Sequence, residues 1–288
     1  MQPREILKAV SSNDLAALQA ALKAGLASGD ALRDLAFSMN PLYLAVKMRR
    51  PAIAELLLQS GIAPDAIGPD QRSALSLAAE NADAPTLQLL IEGGANCALP
   101  EPGNFTALHH AVRAGSMAAI RALLAAGADA NRRDRASGST PLYLQIGRTD
   151  SPDHTAIIAL LLEHSADPEL PDGNRNTGLH LSCMRDDPST AETLLARGAT
   201  VDALNNAGLA PLHYAVCAGN SALVVALLHQ NANPPLRTKK QTRAPSRMRK
   251  HGQDLLQEVS LPKGSSIHDI ARAAKKLGAL KDVLPPEA

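Results

Sequence analysis

The chain has 288 residues, 45% of them hydrophobic and only 2% aromatic, with a formal net charge of +1. Its longest apolar runs, 156–162 and 222–228, have seven residues each, whereas a membrane-spanning helix needs roughly 20. Its three cysteines show no paired spacing, and its first residues lack the pattern of a secretion signal. Composition therefore excludes a membrane-spanning protein and a disulfide-rich secreted domain. We expect a soluble, cytoplasmic chain, with delivery into a host cell left open.

The first predicted element is a helix pair within residues 1–37. Ala9-Val10, Ala21-Leu22 and Gly25 keep the spacing that the following segments repeat, although the rest of this stretch diverges from them. A divergent terminal unit is expected where one open end of a stacked core must be covered by a wetter face. Residues 1–37 are therefore predicted to be an N-terminal capping unit.

Between residues 38 and 234 a short phrase recurs at nearly constant intervals, and Phe105-Thr106-Ala107-Leu108-His109-His110-Ala111 is one of its copies. The residue before the leucine of each copy serves as its marker and stands at 41, 74, 107, 141, 178 and 211, so the steps are 33, 33, 34, 37 and 33. A fixed period in this range indicates stacked supersecondary units, each too small to bury its apolar face alone. The pattern predicts six full repeats.

The second half of each repeat keeps register with the first. Paired leucines followed by Gly-Ala or a related dipeptide lie about fifteen residues after most markers, and twenty after the fourth, which gains about four residues around 150–153. The leucines are predicted to fill the space between repeats, and the glycine to end the second helix in a left-handed conformation. Leu123, Leu161 and Leu194 are therefore expected to be fully buried.

After residue 234 the pattern is interrupted by an insert, 235–262. Residues 1–234 carry 23 acidic and 17 basic side chains, whereas residues 235–288 carry 5 acidic and 12 basic ones. Prolines and the lack of an apolar stripe predict a mobile loop for the insert, followed by a C-terminal capping unit at 263–288. Seven bases of the insert fall within fourteen residues: Arg237, Lys239, Lys240, Arg243, Arg247, Arg249 and Lys250.

The period and phrases such as Thr140-Pro141-Leu142 and Ala210-Pro211-Leu212-His213-Tyr214-Ala215 resemble the ankyrin repeat, a β-turn followed by two antiparallel helices. The resemblance implies an all-α ankyrin-repeat solenoid of about eight helix–turn–helix units with β-turn tips and divergent N- and C-terminal capping units. We expect residues 1–288 to form a single ankyrin-repeat domain.

The resemblance also assigns a structural role to the histidines of the phrase. His109, His180 and His213 occupy the position at which the family hydrogen-bonds the backbone near adjoining turns. Tyr43 and Tyr143 replace histidine there, which either weakens that network or re-forms it with a phenol. These side chains are therefore not expected to bind metal or to act in catalysis.

No sequence motif for catalysis is present: there is no zinc-protease motif, phosphate-binding loop, dinucleotide fingerprint or nucleophile elbow. Ser151, Asp153 and His154 match a catalytic triad only in composition, because neighbours on one short loop cannot align a nucleophile with its base. We interpret them as a solvated polar loop, and Asp186-Asp187 as a solvated turn. The sequence predicts no enzyme, no cofactor and no metal site.

In proteins that this chain resembles, the turn tips and the exposed ends of the first helices line a concave groove in which partners usually lie. The interleaved charges at these positions predict a partner with a mixed-charge surface. Mapped residue by residue, the candidate contacts are Lys47, Met48, Asp70, Glu80, Asn81, Glu101, Asn104, Arg113, Arg135, Arg148, Asp172, Asn174, Arg175, Arg185 and Asn206.

We therefore predict a non-enzymatic module, monomeric when free, that sequesters, inhibits or scaffolds a protein partner. The Ala- and Arg-rich composition is typical of bacterial sequences, and by analogy suggests an immunity protein that neutralises a toxin, or an effector acting in a host cell. The alternative is binding of nucleic acid or another anionic surface through the basic residues 237–250. Against it, the insert has no aromatic residue on which bases could stack.

Overall fold

The structure is a computed structural model that describes residues 3–23, 40–148, 152–230 and 232. Within these residues the fold is all-α, as predicted, with one isolated antiparallel bridge between Ile67 and Ser73. The chain divides into two compact units, residues 1–136 (unit 1) and 137–288 (unit 2). The predicted insert 235–262 and closing unit 263–288 lie outside the described residues.

Unit 1 contains four described helix pairs. Within each pair the two helices pack against each other, and each first helix also packs against the first helix of the next pair. The helices are α1 (Pro3–Ser12), α2 (Leu15–Lys23), α3 (Pro41–Lys47), α4 (Pro51–Gln59), α5 (Ala74–Glu80), α6 (Ala84–Glu92), α7 (Ala107–Ala114) and α8 (Met117–Ala125).

Unit 2 contains three described helix pairs that follow the same rule. First helices contact first helices and second helices contact second helices along the unit. The helices are α9 (Pro141–Ile146), α10 (His154–Glu163), α11 (Gly178–Met184), α12 (Pro188–Ala196), α13 (Pro211–Ala218) and α14 (Ser221–His229).

The first helices start where the sequence places a cap. The Ser73 hydroxyl accepts a hydrogen bond from the Ser76 N–H (3.0 Å), and the Thr140 hydroxyl accepts one from the Tyr143 N–H (3.2 Å). Pro141 occupies the first helical position, where its missing N–H leaves no bond unmade. Local sequence therefore sets the start of these helices.

The second helices α4, α6, α8, α10 and α12 are each followed within two residues by a residue in the left-handed conformation. Gly127 has φ 83°, and the Ser165 that replaces glycine in the fourth repeat has φ 63°. A side chain in this conformation costs roughly 1–2 kcal/mol, which glycine avoids. The repeat geometry thus holds even where the preferred residue is absent.

The core of each unit lies between neighbouring helix pairs. Leu123 in unit 1 and Leu161 and Leu194 in unit 2 are all 0% exposed, which confirms their predicted burial. Close approach also depends on Gly178, because a Cβ added there would lie 2.8 Å from Cδ1 of Ile146. The first helices α9 and α11 can therefore pack directly against each other at this position.

Among the described helices, none has both the length and the apolar character that crossing a membrane requires.

We expect Leu161→Ala to lower the free energy of unfolding by about 2–5 kcal/mol, because it removes a fully buried side chain and leaves a cavity. Leu15→Ala is the matched control, since Leu15 is 38% exposed and its loss should cost less than about 1 kcal/mol. Denaturant unfolding followed by circular dichroism measures both. A Leu161→Ala variant as stable as the parent would mean that the register of the fourth repeat is wrong.

Candidate partner-binding surface

The histidines of the repeated phrase form hydrogen bonds with backbone groups, as the sequence predicts. The N–H groups of Thr106, Thr177 and Ala210 donate to Nδ1 of the histidine three residues later, at 3.2, 3.1 and 3.0 Å. His180 also uses Nε2 to donate to the Leu209 carbonyl of the next repeat, at 3.0 Å. Each histidine therefore fixes the start of its own helix, and His180 ties that helix to the following turn.

Tyrosine re-forms this link between repeats where it replaces histidine. The Tyr43 hydroxyl donates to the Asp70 carboxylate at 2.8–2.9 Å, and the Tyr143 hydroxyl donates to Oδ2 of Asp172 at 2.8 Å. The Tyr43 ring reaches across the next turn because Gly68 has no side chain; a Cβ there would lie 2.3 Å from the ring. The phenol therefore bonds a carboxylate on the next tip.

Asp172 is the centre of a polar chain in unit 2. Its Oδ1 accepts from the N–H groups of Asn174 and Asn176, both at 2.8 Å, and its Oδ2 accepts from Tyr143 and from the Asn176 amide at 3.1 Å. This polar chain extends into the next repeat, where the Asn205 side-chain amide donates to Oδ1 of Asn176 (2.8 Å) and lies 2.9 Å from the Tyr214 hydroxyl. Three successive repeats are thus joined at their tips.

Glu101 is a correction to the predicted surface. It is only 8% exposed, accepts a hydrogen bond from the Ser73 N–H at 2.8 Å, and lies 2.9 Å from Nε2 of His110. Burial is the largest influence on its pKa and raises it, but the hydrogen bonds of His110 and Ser73 outweigh burial and lower the pKa below its ordinary value. Glu101 therefore joins two repeats from the inside, and a partner cannot readily reach it.

A second correction concerns His154, which is not part of a solvated loop. It is the first residue of α10 and is buried; its Nδ1 lies 3.2 Å from the Gln145 amide and its Nε2 lies 3.0 Å from Oδ2 of Asp187. Asp187 caps α12 by accepting from the Thr190 N–H at 3.0 Å. The longer link of the fourth repeat thus places a histidine between two repeats, so Asp187 is not a solvated turn residue either.

Two further predicted contact residues are engaged within unit 1. Asn104 accepts from the Arg132 guanidinium at 2.6 Å and donates to the Arg133 carbonyl at 2.6 Å. Glu80 pairs with Arg72 at 2.6 Å. Arg72 was not among the candidates. The period could have identified it, because Arg72 stands at the first position of the phrase, where Phe105 stands in the next repeat.

The other candidates remain at the surface. Arg113, at the end of α7, is exposed and its guanidinium carbon lies 5.8 Å from the centre of the Phe105 ring, within the range of a cation–π contact. Met48 is 37% exposed. Four of the predicted contact residues are half-buried: Asn81, Asn104, Arg148 and Asp172. The exposed ones, besides Arg113 and Met48, are Lys47, Asp70, Glu80, Arg135, Asn174, Arg175, Arg185 and Asn206.

The cysteines are free thiols. Cys183 is buried, and burial raises its pKa to about 12. Cys217 is half-buried, and burial raises its pKa to about 11. Both thiols therefore stay protonated near neutral pH and behave as small apolar side chains.

Repeat length, helix pairing and the histidine–backbone bonds define a class of protein, and comparison with known families agrees. The family model of ankyrin repeats, three copies long, matches residues 75–172 and 149–238. These matches together cover more than half of the chain. The chain belongs to the ankyrin-repeat family.

The chain is also similar in sequence to known proteins. It is 32% identical over 163 residues to the nuclear factor NF-kappa-B p105 subunit of Gallus gallus, a match that covers 56% of this chain and 16% of that protein. It is 30% identical over 164 residues to the B-cell lymphoma 3 protein homolog of Mus musculus, covering 56% of this chain and 36% of that protein. The chain thus spans well under two thirds of the length of these relatives.

Among solved structures, the ankyrin repeat domain of Bcl-3, described as a member of the IkappaB protein family, is similar to this chain. The TM-score is 0.70 at 25% sequence identity, over 78% of this chain and 97% of that chain. The relatives named here are eukaryotic, so they give no support to the bacterial origin that the composition suggested.

We expect a pH dependence of stability that depends on His180. Burial is the main reason that its pKa is lowered from 6.5 to about 4, so the folded chain binds this proton less well than the unfolded chain. The free energy of unfolding is therefore unaffected by this group above pH 6.5. It falls by up to roughly 3 kcal/mol as the pH is lowered towards 4. Unfolding measured across this range should have a shallower slope in His180→Gln, whereas His229→Gln, at an exposed site, should keep the parent slope.

We expect Asp172→Ala to cost about 1–3 kcal/mol of stability, because four donors lose their acceptor at once. Asp70→Ala is the control: Asp70 is exposed and is bonded by Tyr43 and by the Arg72 N–H at 3.4 Å, so its loss should cost less. Parallel denaturant titrations compare the two variants. Equal costs would contradict the expectation that the additional donors bound to Asp172 stabilise the fold.

Proposed function

We propose that this chain is a non-enzymatic module that binds a protein partner through its turn tips and the ends of its first helices, as one ankyrin-repeat domain capped at both ends. Repeat proteins of this kind use the extended surfaces that stacking creates. The observation that carries the proposal is the recurrence of exposed side chains at the ends of first helices: Lys47 and Met48 at the end of α3, Arg113 at the end of α7, and Arg185 directly after α11. Arginine and methionine are both enriched in protein interfaces.

Rigid placement supports this proposal. Each exposed side chain stands at or directly after the end of a short helix whose start is fixed by a cap or by a histidine–backbone bond, such as the bond of Thr177 to His180. A side chain on a fixed backbone loses less conformational entropy on binding than one on a loop. The ends of the first helices are therefore well suited to form the contact.

Binding is the proposed activity in itself, with sequestration, inhibition or scaffolding as its forms. Neutralisation of a toxin and action in a host cell are narrower versions of the same proposal, which depend on the source of the chain and on its partner. Binding of nucleic acid through residues 237–250 is the second candidate, and the concentration of seven bases there supports it.

The test is affinity capture with the purified chain from its own cells, followed by measurement of the affinity for the captured protein. We expect Arg113→Ala/Arg185→Ala to weaken binding at least about thirtyfold, because charge-assisted contacts in an interface centre each cost about 2 kcal/mol or more when truncated. Arg121→Ala/Arg197→Ala is the matched control, with one exposed arginine at or after a second helix in each unit.

Circular dichroism confirms that both double variants keep their fold. A partner that loses affinity for the control double variant, and not for Arg113→Ala/Arg185→Ala, would place the contact on the second helices. A captured nucleic acid whose binding disappears on deletion of residues 237–250 would favour the second candidate.

A further inference from the structure

Five of the described turn tips place a residue at the same position of the repeat in the left-handed backbone conformation. In two of them the residue is glycine: Gly138 has φ 69° and Gly208 has φ 75°. The other three carry a side chain there, and φ is 62° at Gln71, 64° at Asn104 and 61° at Arg175. Only glycine adopts this conformation without steric cost, because a Cβ crowds the following carbonyl oxygen. Three tips therefore hold a side chain where glycine would fit the backbone better.

The side chain of Asn104 has a structural role. It accepts from the Arg132 guanidinium at 2.6 Å and donates to the Arg133 carbonyl at 2.6 Å, so it joins its tip to the segment that leads to the next tip. Asparagine also tolerates the left-handed conformation better than most residues, since its short amide can bond locally. At this tip, two hydrogen bonds offset the steric cost.

The side chains of Gln71 and Arg175 have no such bonds. Both are exposed, and neither forms a hydrogen bond or an ion pair with any residue that the structure describes. Their turns are closed by backbone groups: the Gln71 N–H donates to the Gly68 carbonyl and the Arg175 N–H to the Asp172 carbonyl, both at 3.0 Å. Glycine would make the same backbone bonds. These two side chains therefore add steric cost to the folded chain without a polar contact that offsets it.

We propose that Gln71 and Arg175 bind the protein partner directly, Gln71 at a tip of unit 1 and Arg175 at a tip of unit 2. Left-handed residues with a side chain cluster at binding and switch sites, where the side chain serves a contact outside the fold. This inference rests on the proposed function and selects the tip side chains that the fold leaves unbonded. It adds Gln71 to the predicted contact residues and assigns Asn104 to the fold.

The two side chains define the groups that the partner must offer. The Arg175 guanidinium has five N–H donors and no acceptor, so it needs carboxylate or carbonyl oxygens. The Gln71 amide both donates and accepts, so it matches a backbone amide of an exposed loop or strand edge. Each tip also carries a carboxylate, Asp70 beside Gln71 and Asp172 before Arg175, which would repel a phosphate backbone. A protein therefore fits these tips better than a nucleic acid does.

The steric cost is tested by glycine substitution in the full chain. We expect Gln71→Gly and Arg175→Gly each to raise the melting temperature by about 1–4 °C, because glycine removes the crowded Cβ. Asn104→Gly should instead lower it, because two hydrogen bonds are lost. Thermal melting followed by circular dichroism compares the three variants. If neither Gln71→Gly nor Arg175→Gly raises the melting temperature, the two side chains cost the fold nothing and the inference is overturned.

Contact with the partner is tested by photocrosslinking, which needs no purified partner. The full chain carries the probe p-benzoylphenylalanine at position 71, 82 or 175 and is irradiated in an extract of its own cells. Ala82 is the matched control, because it is exposed and left-handed (φ 54°) but lies in the turn between α5 and α6. We expect positions 71 and 175 to crosslink the protein recovered by affinity capture at least about fivefold more than position 82 does.

The affinity for the same protein separates the loss of the side chains from the change in stability. We expect Gln71→Gly/Arg175→Gly to raise Kd at least about fivefold, because both sets of hydrogen-bonding groups are lost. Ala82→Gly removes a left-handed side chain that has no polar group, so it should leave Kd within about twofold of the parent value.

Equal crosslinking from positions 71, 82 and 175 overturns the inference, as does an unchanged Kd for Gln71→Gly/Arg175→Gly. A captured protein that crosslinks from neither 71 nor 175 would leave the proposed protein-binding function standing while this inference fails. A nucleic acid crosslinked from either position also overturns it, in favour of the second candidate function. If affinity capture and all crosslinks return no protein, the proposed function and this inference fail together.

Discussion

Burial of leucine between neighbouring helix pairs is the constraint on which the rest of each unit depends. A pair of helices of six to ten residues cannot remove its apolar face from water alone, so it is stable only against the next pair. Leu123, Leu161 and Leu194 are fully enclosed in these interfaces. Because the apolar side chains are buried in these interfaces, the turn tips and the ends of the first helices can carry polar residues.

Stacking also brings polar groups of adjacent repeats together, and these need partners once they are buried. The chain meets this need differently along its length. His180 bonds a carbonyl of the next repeat, Tyr143 bonds Asp172, and Glu101 receives the Ser73 N–H and contacts His110. These links hold the tips in register, because each one joins a first helix to the turn of a neighbouring repeat.

The same links decide which side chains remain for a partner. A carboxylate that already accepts from two to four donors of its own chain offers little to an incoming protein, whereas an exposed guanidinium keeps its donors. Asp172 and Glu101 are therefore structural, while Arg175 and Arg185 are left at the surface. The surface available for binding is what remains after the fold has satisfied its own polar groups.

The sequence by itself determined the repeat, the helix pairs, their caps and the buried leucines. These follow from local spacing and from rules that act within one turn of a helix, as at Thr140 and Gly127. It did not determine the partners of Glu101, His154 or Asp172, because each bonds a residue of another repeat, between 28 and 36 positions away. Only the stacked structure brings such residues within hydrogen-bonding distance, so only the tertiary structure decided which charges the surface keeps.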